Sequence, residues 1–117
     1  MSTRNYDLIV LGGGIGGYTA AIRAAQAGKT VALVEEDKLG GTCLHRGCIP
    51  SKSLLRSAEV FASAKSGSEY GVVAERVELD FSRVMRRKDE IVHQLHTGLE
   101  SLMKKNKIDV YRGRGRV

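Results

Sequence analysis

The chain has no tryptophan, one proline, two phenylalanines and two cysteines in 117 residues. With 5% aromatic content, a core built on large rings is excluded, and the interior has to be assembled from aliphatic side chains and alanine. Two thiols are too few for the disulfide framework of a small secreted domain or for a four-cysteine zinc site. No apolar stretch approaches the ~20 residues needed to cross a bilayer. The segment Met1-Ser2-Thr3-Arg4-Asn5-Tyr6 runs directly into an apolar stretch without a signal or transit region, and the expected location is the cytoplasm. Acidic residues are the minority, 13 against 19 Lys and Arg, for a formal charge of +6. That excess and the tail Arg112-Gly113-Arg114-Gly115-Arg116 invite a nucleic-acid reading. No aromatic residues interleave with the basic ones, and several lie on the outer face of one helix, so no nucleic-acid partner is expected.

What is present is concentrated in two short runs. The first is Gly40-Gly41-Thr42-Cys43-Leu44-His45-Arg46-Gly47-Cys48-Ile49-Pro50-Ser51-Lys52, which holds both thiols. A loop this small removes only ~2 kcal/mol of entropy from the unfolded chain, so stapling is a weak motive for the pair. On a regular helix the two Cα atoms would lie roughly 8 to 9 Å apart, beyond the ~7 Å reach of a disulfide. A bridge therefore needs an irregular turn, which Gly47 permits. The run Leu54–Ala62 is made of helix formers, and the pair is expected at the N-terminal end of that helix. Oriented N–H groups there favour thiolate, with Arg46 and Lys52 adding positive potential. The favoured reading is redox exchange; two buried free thiols and half of a zinc site are the alternatives.

The second run is Gly12-Gly13-Gly14-Ile15-Gly16-Gly17, in which Gly12, Gly14 and Gly17 satisfy G-x-G-x-x-G. Its surroundings are those of a dinucleotide-binding βαβ unit. Asp7–Leu11 suits a buried parallel strand, Tyr18–Ala27 is alanine-rich and helical, Gly28 is placed to end that helix, and Thr30–Val34 is a second strand. Gly12 allows the tight turn, Gly14 lets backbone approach a pyrophosphate, and Gly17 lets helix and strand pack closely. Glu35, 18 residues after Gly17, would accept hydrogen bonds from ribose hydroxyls, with Glu36 as the alternative. A carboxylate there disfavours a 2′-phosphate, so the expected ligand is FAD or NAD rather than NADP.

After a polar, small-residue stretch at Ser63–Glu69, apolar residues recur at three- and four-residue steps from Phe81 to Met103. They predict one long amphipathic helix packed on the sheet or the preceding helix, with Arg86, Arg87, Lys88, Lys104 and Lys105 facing water. Asp80 or Ser82 caps it, and Ile108–Tyr111 returns as a strand. His93 and His96 stand three apart, but without a third ligand nearby they are read as an ordinary helix face, and no metal is expected. His45 is left without a role.

Together these runs resemble the class I pyridine nucleotide-disulfide oxidoreductases. Within that family, Leu44, Ile49, Pro50 and Ser51 are most similar to the branch acting on dihydrolipoamide; the glutathione and mercuric reductases tend to have valine at positions 44 and 49. The resemblance covers nearly the whole chain. It implies a Rossmann-like α/β fold in which residues 1–117 are the N-terminal part of an FAD-binding domain. The NAD-binding and C-terminal interface domains, with a catalytic His and Glu, would lie beyond this chain. It implies FAD as cofactor and NAD as co-substrate, Cys43 as the interchange thiol and Cys48 as the thiolate against the flavin. It places the Lys52 ammonium near the ring, Gly41 and Thr42 along the ribityl and phosphate path, and the Gly115 backbone at the adenine. The implied partners are a second subunit, forming a homodimer, and the lipoyl domains of 2-oxo acid dehydrogenase complexes. The 117 residues by themselves are expected to expose apolar faces, to hold FAD weakly and to turn nothing over.

Overall fold

The computed structural model describes residues 2–117; Met1, the first residue of the lead-in segment and of the expected 1–117 unit, lies outside the described residues. The elements in chain order are β1 (Leu8–Leu11), α1 (Ile15–Gln26), β2 (Val31–Glu35), α2 (Gly41–Arg46), α3 (Cys48–Ser66), a short 3₁₀ turn (Gly67–Tyr70), α4 (Phe81–Lys105) and β3 (Asp109–Arg112). The strands form one parallel sheet in the order β1-β2-β3, with Leu8 opposite Val31 and Ala32 opposite Asp109. This is the expected α/β arrangement, and the first three elements are the expected βαβ unit.

Strand alternation sets the two faces of the sheet. Val31 and Leu33 point into a core with Ala21 of α1, Leu99 and Met103 of α4, and Ile108. Ile9, Leu11 and Tyr111 belong to the opposite face. The run Asp7–Leu11 was expected to be buried on both sides, yet Ile9 is 55% and Leu11 47% exposed. The described helices cover one face only, and among the described residues no strand pairs with the outer edge of β1.

Element limits differ from the expected ones for identifiable reasons. Asp7 and Thr30 are withheld from the strands because they bond each other. The Asp7 carboxylate accepts from the Thr30 N–H (2.7 Å) and hydroxyl (2.9 Å), while Thr30 Oγ1 accepts from the Asp7 N–H (2.9 Å). Those bonds, the backbone one foremost, hold the Asp7 carboxyl below its ordinary range. Helix α1 starts at Ile15 rather than Tyr18, and Gly28 follows it in the left-handed region (φ +82°) as its terminator. Glu35 is the last residue of β2 rather than the residue after it, and β3 begins at Asp109 rather than Ile108.

Helix α3 does not give way at Ser63. Ala62, Ala64 and Lys65 are good helix formers, and the helix runs on to Gly67, which is buried against Val72. With α4 it forms a long hairpin whose far half has no sheet beneath it. The molecule accordingly measures 67 × 26 × 20 Å, with a radius of gyration of 20.2 Å. A compact domain of this length has about 13 Å. One of the basic residues expected to face water does otherwise: Lys88 is half-buried and paired with Asp89. Arg87 stays exposed while its guanidinium reaches across to α3, where it donates to Ser53 Oγ at 3.0 Å.

Of the two candidate caps for α4, Asp80 is the one used. Its carboxylate accepts from the Ser82 hydroxyl (2.7 Å) and the Arg83 N–H (3.1 Å), and these bonds lower its pKa. A carboxyl lowered by folding stabilises the fold above its unfolded pKa and loses that contribution as pH falls through the folded value. Asp80→Ala is therefore expected to lower the midpoint of thermal unfolding by a few degrees at neutral pH. Circular dichroism melts should show the difference closing once both forms of the carboxyl are protonated. A difference of equal size in strong acid would mean that the ionised cap is not its cause.

Candidate nucleotide and redox site

The site is built at the carboxyl ends of the parallel strands, where chain reversals leave backbone groups free. Gly12, in the left-handed region at φ +99°, turns the chain out of β1 while its N–H donates to the Val34 carbonyl at 2.8 Å. A Cβ on Gly17 would land within the Gly12 carbonyl, so glycine at 17 is what lets α1 start directly against the turn. Gly14 faces open space, with no atom within 4 Å of where a Cβ would stand. Helix α1 has neither a side-chain cap nor an acidic residue in its first turn, which leaves its leading N–H groups available to an anion. An acidic nucleotide phosphate suits that arrangement.

Glu35 closes the turn from the β2 side. Its carboxylate accepts from the Gly13 N–H at 2.6 Å and from the Asp37 N–H at 2.8 Å, which leaves lone pairs free for further donors. Gly13 was not among the residues singled out from the fingerprint, although a Cβ there would stand 2.9 Å from a Leu39 methyl and 3.1 Å from the Glu35 carboxylate. Its only signal in the sequence is a glycine beyond the three the fingerprint demands. Glu35 and Glu36, with Leu11, Gly12, Val34, Gly113, Arg114 and Gly115, line a cleft of about 260 Å³. The Gly115 backbone lies on the strand ends, where a Cβ would be 2.5 Å from a Leu11 methyl.

The same turn carries the second run. Gly40 and Gly41 are both left-handed, at φ +116° and +69°, and swing the chain into α2. Gly40 N–H donates to the Gly13 carbonyl at 2.8 Å, and Gly41 packs on Gly14, where an added Cβ would come to 2.8 Å. Gly12, Gly14, Gly41 and Thr42 are thus neighbours in space. The two cysteines form a disulfide with Cα atoms 4.7 Å apart, which sets aside the free-thiol and half-zinc alternatives. The required irregularity is at Gly47 (φ −130°, ψ −107°), which separates α2 from α3. The thiols therefore do not share one helix start. Cys48 opens the 19-residue α3, while Cys43 lies within the six-residue α2.

Lys52 is exposed one helical turn beyond Cys48. Arg46, expected to add positive potential, is instead paired with Asp37 at 2.8 Å, and that bond holds the Asp37 carboxyl below its usual range. His93 and His96 part company: His93 is exposed, and His96 turns inward to bond the Leu39 carbonyl. Among the described residues no helix is long and apolar enough to cross a membrane.

A parallel βαβ unit with a glycine turn thus stands beside a disulfide at the start of a helix. Residues 6–117 match the pyridine nucleotide-disulphide oxidoreductase family, and the chain belongs to that family. Within it, the chain is similar to the dihydrolipoyl dehydrogenases of several bacteria. The Bacillus subtilis (strain 168) protein is 58% identical over 112 residues, 96% of this chain and 24% of that protein. The Acholeplasma laidlawii protein is 49% identical over 114 residues, 97% of this chain and 34% of that one. The Chlamydia muridarum protein is 48% identical over 110 residues, 94% and 24% respectively. The chain thus spans a quarter to a third of the length of these relatives.

Proposed function

We propose that this chain is the amino-terminal part of a flavin-dependent dihydrolipoyl dehydrogenase, and that the full-length polypeptide reoxidises protein-bound dihydrolipoamide with NAD⁺. The observation that carries the reading is the Cys43–Cys48 disulfide, bridging the Gly47 break at the start of α3 and tied through Gly40 and Gly41 to the nucleotide turn. Relatives bearing that name at 46–58% identity support it.

The residues fit a dinucleotide flavin. The uncapped start of α1 and the open space at Gly14 suit its pyrophosphate, Glu35 or Glu36 its ribose, and the cleft beside Gly115 its adenine. When bound, the flavin supplies two-electron acceptance from a thiolate and hydride donation to a nicotinamide. One substrate thiolate attacks Cys43 Sγ and expels Cys48 as thiolate, held by the N-terminal end of α3. The second substrate thiol displaces Cys43, closing the cyclic disulfide of lipoamide and leaving two reduced cysteines. With a flavin bound against it, the Cys48 thiolate would be the residue that gives up the electron pair as the Cys43–Cys48 bond re-forms, the hydride for NAD⁺ coming from that flavin. Lys52, exposed one turn along α3, would offset negative charge on a flavin held there. The partners proposed are lipoyl domains of 2-oxo acid dehydrogenase complexes and a second subunit, in the cytoplasm.

The visible spectrum of the full-length polypeptide tests this. Anaerobic dihydrolipoamide is expected to convert the flavin band into a long-wavelength thiolate-to-flavin absorbance, and NAD⁺ to reverse it. A flavin indifferent to dihydrolipoamide but, once reduced by NADH or NADPH, reoxidised through glutathione disulfide or mercuric ion would move the protein to another branch of the family.

A further inference from the structure

Two histidines far apart in sequence converge on one backbone carbonyl. His45 Nε2 and His96 Nδ1 each lie 2.9 Å from the Leu39 oxygen, and the two rings meet edge to face with centroids 5.0 Å apart. A carbonyl oxygen only accepts, so both of these ring nitrogens carry hydrogen, which fixes one tautomer at each position. The same peptide unit is held at its other end, where the Gly40 N–H donates to the Gly13 carbonyl at 2.8 Å. A single peptide plane therefore joins the nucleotide turn, α2 through His45, and α4 through His96. His45 lies between the two cysteines in sequence, and the held peptide directly precedes the Gly40-Gly41 bend. Two left-handed glycines make that bend soft, so its geometry has to be imposed from outside.

We propose that His45 and His96 are positioning residues: by jointly holding the Leu39 carbonyl they fix the bend that sets Cys43 opposite Cys48. This rests on the reading of those cysteines as an exchanging pair and deepens it. Neither histidine is assigned a proton transfer. Their charged surroundings are already paired, with Asp37 on Arg46 at 2.8 Å and Glu100 lying 3.4 Å from His96 Nε2 and 3.6 Å from Arg112.

The test is the exchange equilibrium of the full-length protein with glutathione, read by alkylating free thiols and weighing the protein. One Cys43–Cys48 disulfide and two glutathione thiols give two cysteine thiols and one glutathione disulfide, and the balance measures how well the two sulfurs are held for each other. H45L and H96L are each expected to move it toward thiols by about three- to tenfold. The double variant should move it by less than the product of the two, since both act on one oxygen. Amides then separate donor geometry from bulk. Gln at 45 offers nitrogen where Nε2 was, and Asn at 96 where Nδ1 was, so H45Q and H96N should lie within about twofold of the native balance. Leucine variants at the native value, or amide variants displaced as far as the leucines, would overturn the proposal. If a leucine variant does not fold, the amides decide: H45N and H96Q displaced while H45Q and H96N are native supports the clamp, and the reverse pattern rejects it. The equilibrium needs no flavin turnover, so a native protein inert toward dihydrolipoamide would remove the proposed function while leaving the clamp to stand or fall on these shifts.

Discussion

Full-length polypeptide carrying Cys43→Ser or Cys48→Ser is expected to lose dihydrolipoamide-linked NAD⁺ reduction by at least about a thousandfold, because each removes one sulfur from the bond that is broken and re-formed. The two variants should nevertheless look different. With Cys43 gone, Cys48 remains a lone thiol at the first position of α3, where the helix start favours thiolate, and a long-wavelength absorbance against the flavin is expected without any reductant. With Cys48 gone, Cys43 lies in the short α2 and no such band should form. Stopped-flow reduction with dihydrolipoamide and static spectra of both variants check this. The asymmetry inverts if the roles are reversed, and a band in Cys48→Ser alone would reassign them.

Gly17→Ala is expected to be among the most damaging single-methyl changes available in the chain. The new Cβ would overlap the Gly12 carbonyl, and that neighbour is backbone held at 2.8 Å to Val34, so it cannot swing aside as a side chain would. Relief requires α1 to lift from the end of β1, disturbing Ala21 and the packing of Val10 and Leu33. A loss of about 3 kcal/mol or more is expected in urea unfolding, together with loss of flavin on gel filtration. Gly14→Ala serves as the contrast, because its Cβ meets only open space. It should fold with a nearly native midpoint and weaken flavin retention instead. Equal midpoints for Gly17→Ala and the native protein would show that the turn is far looser than its geometry states.

Much of this was legible in the chain because the decisive signals are local. A glycine needed for a left-handed turn at 12, a glycine needed for contact at 17 and an acid at the end of the next strand are written within one βαβ unit. The long period of α4 is likewise a property of consecutive residues, as is its termination before β3. The helix-breaking glycine between the cysteines belongs to the same class. The misreadings arose where distant segments compete. Burial of β1 depends on what covers the far face of the sheet, which periodicity cannot report. The partners of Arg87 and Arg46, Ser53 across the hairpin and Asp37, are likewise absent from a helical wheel, although both arginines stay exposed.

The sequence by itself determined the parallel α/β unit, the glycine turn, the capped long helix and the pairing potential of Cys43 and Cys48, since each follows from backbone propensity and spacing over a few residues. Only the tertiary structure decided that the thiols sit on two helices rather than one, that Glu35 bonds Gly13, and that His45 and His96 meet on one carbonyl. Those arrangements bring together residues up to 57 positions apart. Their geometry is set by how the helices pack on the sheet, a quantity no local stretch of the chain encodes.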